Sequence, residues 1–155
     1  MSTIRHQIVA ALVVRLKTIT MANGYNSDAG LTVYSWHPEN RQVETLPMLV
    51  VNDVADTLSD AGRDKLQHSL RVDITGMMRG GATTTITMLR ALIGDIARAV
   101  MDPEDRTMGN VCDTMQFVDG GGIQLEQTTE EVVGSVAMTL MISFVTDRGN
   151  WSVKI

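Results

Sequence analysis

Two long stretches of alternation constrain this chain most. In Leu66–Met78, the side chains of His68, Leu70, Val72, Ile74, Gly76 and Met78 share one face, while Ser69, Arg71, Asp73 and Thr75 share the other. In Val132–Thr146, residues Val132, Val136, Met138, Leu140, Ile142 and Phe144 oppose Ser135, Ala137, Thr139, Met141 and Ser143. A period of two is the strand period. A strand that is apolar on one side only belongs to an antiparallel sheet with one covered face. Such strands require a second layer over the apolar side.

Two segments can supply that layer. Ser2 or Thr3 can cap a helix running to about Met21, with Ile4, Ile8, Leu12, Leu16 and Ile19 on one stripe. Gly80-Gly81 then turns the chain after the first alternating strand. Thr83, Thr84 or Thr85 can cap a second helix to about Met101, with Leu89, Leu92, Ile93, Ile96 and Val100 on its apolar face. Asp102-Pro103 stops it.

The rest reads as shorter pieces. Ala22–Gly30 is turn chemistry. Leu31–Trp36 alternates as a strand until His37-Pro38-Glu39-Asn40 breaks it. Leu46–Val51 reads as a well-buried strand, and Asp53–Lys65 as a polar surface loop with one helical turn. Short strands are expected near Met115–Val118 and Ile123–Gln127, on either side of a Gly120–Gly122 corner. The fold class is therefore α+β: an antiparallel or mixed sheet with two amphipathic helices packed on one face. Residues 1–146 form a single domain, and residues 147–155 a C-terminal extension.

At 155 residues one core is feasible, since a domain of this size buries roughly 70% of its unfolded surface. No apolar run approaches the ~20 residues of a membrane helix. The N-terminal stretch reads as a mature helix and not a signal peptide. The single cysteine, Cys112, excludes an internal disulfide and a cysteine-based zinc site, and fits synthesis in a reducing cytoplasm. A net charge of −5 argues against a nucleic-acid grip, which needs clustered Lys and Arg. Eleven methionines stand against two each of Trp, Tyr and Phe. Most should fill the core, and a few, Met77 and Met78 first among them, are candidates for subunit contacts.

Chemistry is hard to find. His6, His37 and His68 lie on different elements without metal-site spacing. Cys112 reads as a small buried hydrophobe. No nucleophile elbow, phosphate loop or dinucleotide fingerprint occurs. No catalytic, cofactor-binding or metal residue is assigned, and no cofactor. Two acidic clusters remain: Asp53, Asp56, Asp60 and Asp64, and Glu126, Glu130 and Glu131. The first does not match a calcium loop, and the simplest reading of both is a solvated surface. In a ring of copies either would become a band of negative charge that repels DNA phosphates.

The order of these features resembles a known family. It runs from RHQIVAALVVRLKTITMANGYNSDAGLTVYSW through ETLPMLVVND and LQHSLRVDITGMM to TTTITMLRALIGDIARAVM, and TITMANGYNSDAGLTVY carries most of the likeness. From Ile4 to about Thr146 the chain looks like the lambda gpU-like tail terminator (tail completion) proteins of long-tailed bacteriophages. The resemblance implies a non-enzymatic structural virion protein, made and assembled in the host bacterial cytoplasm. It implies a homohexameric ring at the head-proximal end of the tail tube that ends tube polymerisation and offers the joining surface for the head. The implied partners are further copies of the chain, the tail tube protein and a head-completion or neck protein, with DNA passing through unbound and no membrane. A closed ring needs a heterologous contact. Strand edges and the tail residues Trp151, Val153 and Ile155 are candidates for it, the alternative for the tail being internal docking. Two other readings stand beside this one: another neck protein, such as a connector or stopper, and a small cytoplasmic enzyme or ligand-binding domain.

Overall fold

The computed structural model describes residues 2–36, 46–127 and 131–155. The expected break at His37-Pro38-Glu39-Asn40 and the candidate acid Glu130 lie outside the described residues.

Helix α1 spans Ile4–Leu16, and the Thr3 hydroxyl caps it by accepting from the His6 N–H. Ile4, Ile8, Leu12 and Leu16 form the buried stripe. The helix stops short of Met21. Thr18 returns its hydroxyl to the Arg15 carbonyl, and the extended Thr20 caps a 3-10 turn at Met21–Asn23 instead. Hydroxyl side chains that bond the local backbone compete with helix in this way. Helix α2 spans Ala82–Val100 and starts behind Gly81, which gives it no side-chain cap. The expected threonine caps therefore sit inside the first turns, and Thr85 is fully buried.

The strands are β1 (Val33–Ser35), β2 (Met48–Asp60), β3 (Lys65–Gly80), β4 (Thr114–Gln127), β5 (Val132–Asp147) and β6 (Asn150–Lys154). They form one mixed sheet in the order β1-β2-β3-β5-β4, with β6 also on β5. Among the described residues only the β1–β2 pair is parallel. The two alternating sequences, β3 and β5, pair along their whole length, from Lys65 opposite Asp147 to Gly80 opposite Val132. The 16 residues of β3 make a ribbon about 50 Å long.

Both helices pack on the face that carries Leu70, Val72, Ile74, Val136, Leu140 and Ile142, and form one core with it. Helix α2 comes close because Gly134 has no side chain: a Cβ there would lie 2.5 Å from Leu89 Cδ1 and 2.6 Å from Thr85 Cγ2. Met48–Val51 is buried on both sides, as its continuous apolar run suggests.

Two expectations fail in an instructive way. Asp53–Lys65 is no surface loop; β2 continues to Asp60, with Asp56 opposite Leu70 and Leu58 opposite His68. The β3 ladder imposes the strand on a sequence too polar to announce one. The Gly120–Gly122 corner is likewise no corner. β4 runs through it as one strand, absorbing the glycines in register irregularities between Phe117 and Gly122. Residues 147–155, expected as an extension, turn back at once, so that β6 lies on the edge of β5 beyond the start of β4.

Candidate assembly surface

The ANGYNSDAG segment is built as an internal brace. Asp95, 3% exposed on α2, accepts from both the backbone N–H and the side-chain amide of Asn26, at 3.1 and 2.9 Å. Arg98 sits 4.4 Å over the Tyr25 ring and donates to the Gly24 carbonyl. Gly30 must be glycine, because a Cβ would come within 2.5 Å of the Leu16 carbonyl oxygen. The segment that carries the family likeness is thus explained by packing between α1, α2 and β1.

The first acidic cluster is largely neutralised within the chain. Arg5 of α1 binds the Asp53 carboxylate and backbone carbonyl, and Trp36 Nε1 donates to the same carboxylate at 2.7 Å. Burial alone would raise the Asp53 pKa, but the hydrogen bonds from Arg5 and Trp36 outweigh it and hold the group below its usual 3.8. Asp60 pairs with Arg148. Asp64 stands at the hairpin tip in a left-handed conformation, φ 62°, and its carbonyl accepts from the Arg148 N–H.

Asp56 faces inward. His68, 1% exposed, places Nδ1 2.7 Å from Asp56 Oδ2 and Nε2 2.7 Å from Thr146 Oγ1. Its ring stacks on Phe144 at 4.4 Å and meets the edge of Trp151 at 5.0 Å. Carboxylate, imidazole and hydroxyl follow the order of a hydrolytic triad. Thr146 is fully buried, however, so no substrate carbonyl can reach its oxygen. The arrangement ties β2, β3, β5 and β6 together where α1 begins.

The second cluster lies at the other end of the ribbon. Gln127 of β4 opposes Val132 of β5, which opposes Gly80, whereas Asp60 sits beside Leu66 and Thr146. Glu126 is exposed, and Glu131 is 3.8 Å from Arg79. The two clusters are thus separated by most of the ribbon's length and do not form one surface.

The apolar candidates divide. Met78 is 3% exposed and belongs to the core, while Met77 lies half-buried on the face away from the helices. Trp151, Val153 and Ile155 stay 41%, 50% and 49% exposed although β6 is docked on its own chain. The Ile155 N–H donates to Val145, and Lys154 reaches Asp113 at 2.8 Å. Leu58 on β2 and Ile123 and Leu125 on β4, which sequence reasoning did not single out, are 43%, 37% and 44% exposed.

Cys112 is buried with its sulfur 3.5 Å from the Thr107 carbonyl oxygen; burial, helped by Asp113, pushes its pKa up to about 11. It is a thiol at neutral pH, not a nucleophilic thiolate. His6 is exposed on α1, and His37 lies outside the described residues. Among the described residues no three His, Cys, Asp or Glu side chains are grouped to hold a metal ion, and no helix is long and apolar enough to cross a membrane. A scan against protein-family models matches no family, and a search of curated proteins finds no match to the chain.

Proposed function

We propose that the chain is a structural subunit of a phage particle. It forms a ring at the head-proximal end of the tail tube, ends tube polymerisation and presents the joining surface for the head. The observation that carries this reading is the ribbon itself. Among the described residues, a sheet about 50 Å long has both helices on one face and carries half-exposed apolar side chains along both of its edges. Edges of this kind are a liability in a lone domain and a resource in an assembling one. The family resemblance supplies the particular assembly.

The two acidic clusters are not equal candidates for facing DNA. Asp53, Asp56 and Asp60 each have a cationic or imidazole partner within the chain. At the β4–β5 end Glu131 is itself 3.8 Å from Arg79, so the exposed Glu126 is the better repelling group. Phosphate repulsion needs net charge, and pairing removes it at short range.

Electron microscopy of particles made without this protein tests the role. Overlong tails without heads are expected. Tails of normal length beside full heads that leak DNA would favour the second reading, a connector or stopper of the neck.

A further inference from the structure

We propose that copies of the chain join by antiparallel pairing of the outer edge of β2 with the outer edge of β4 of a second copy, at Asp56–Asp60 and Ile123–Gln127, with Leu58 opposite Leu125. The inference rests on the proposed assembling role and names the surface that performs it.

Four observations lead there. Among the described residues, Ala55–Asp60 is paired on one side only, to β3, and Gly122–Gln127 on one side only, to β5. Among the described residues no strand lies on the outward side of either run, the side to which another strand can add. Both runs are regular: the irregularities lie just before them, at Asp53/Ala55 and between Phe117 and Gly122. Five residues of each, Asp56–Asp60 and Ile123–Gln127, can thus pair without interruption and with like faces together. The strand directions agree as well. β2 and β5 run one way, and β3 and β4 the other. A second copy continuing the same sheet presents its β2 antiparallel to β4.

The side chains match on each face. Leu58 opposes His68, and Ile123 and Leu125 oppose Val136 and Gly134, so all three lie on the helix side of the sheet. Each is between one-third and one-half exposed, and pairing the edges covers them with one another. On the other face Thr57 meets Glu126 and Ser59 meets Gln124, so no like charges stand directly opposite. Because one run lies at each end of the ribbon, neighbours are offset along the strands, and the strands slant as closed sheets require. The contact joins two different patches, so it propagates from copy to copy as a ring must.

The test is sedimentation of the full chain over a range of concentrations, with Leu58→Lys, Leu125→Glu and the double variant beside the native protein. Far-UV circular dichroism and melting temperature control for folding, which half-exposed positions should tolerate. Each single variant is expected to weaken self-association at least tenfold, and the double variant to recover it, since the new lysine and glutamate then face each other. Single variants that associate like the native chain overturn the proposal, as does a double variant no better than its parents. A native chain that stays monomeric throughout also overturns it, while the particle phenotype still decides the tail role separately.

Discussion

Asp53 shows how one side chain can join three elements, since Arg5 of α1 and Trp36 after β1 both donate to it. Its pKa is held below 3.8, the value of the unfolded chain, so between the two values the unfolded state binds more protons. The stabilisation is therefore present above pH 4 and is lost as pH falls through the lower, folded value. Asp53→Asn should lower the melting temperature near neutrality by a few degrees, on the order of 1–2 kcal/mol for charged hydrogen bonds. The deficit against the native chain should close on acidification, which calorimetry from pH 7 to pH 2 would read. Asp95 is the harsher case. Asp95→Ala strips a buried acceptor from two Asn26 donors and should cost about 2–3 kcal/mol. Urea unfolding measures this, and a variant as stable as the native chain would refute the bracing role. Neither aspartate was legible from sequence as a brace, because each meets partners far away in the chain.

At the scale of elements, the close approach of α2 to the sheet gives a sharp expectation. Gly134→Val places branched carbons where Leu89 and Thr85 already sit, so α2 must lift. Overpacking of this kind costs about 1–3 kcal/mol or more, read as a lower denaturant midpoint and faster amide exchange in α2. Both helices and the two long strands were legible, since their periodicity is set by burial against one core. The distal half of β2 was not. Asp56 hides its charge against His68, and Asp60 against Arg148, so the sequence shows acid where the fold has strand. The continuous β4 escaped notice for a related reason: its glycines signal a turn, but irregular pairing with β5 accommodates them. The C-terminal Trp151, read from the sequence as a candidate subunit contact, meets His68 of its own chain while staying 41% exposed.

At the scale of the whole molecule, the fold separates the two ends and the two edges of the sheet. The placement of the acids predicts that Glu126→Lys slows DNA passage far more than Asp60→Lys, whose carboxylate is already paired with Arg148. DNA ejection from assembled particles would read the difference, and equal effects would contradict the assignment. That the sheet has two edges was foreseeable from the strands, but not which runs stay regular, because that depends on where the ladders slip. The central claim is that the chain caps a growing tube. The most direct measurement adds the purified chain at increasing molar ratio to polymerising tail tube protein and reads tube lengths by electron microscopy. The account predicts tubes that shorten as the ratio rises, each with a ring at one end; lengths that do not change, with bare ends throughout, would contradict it.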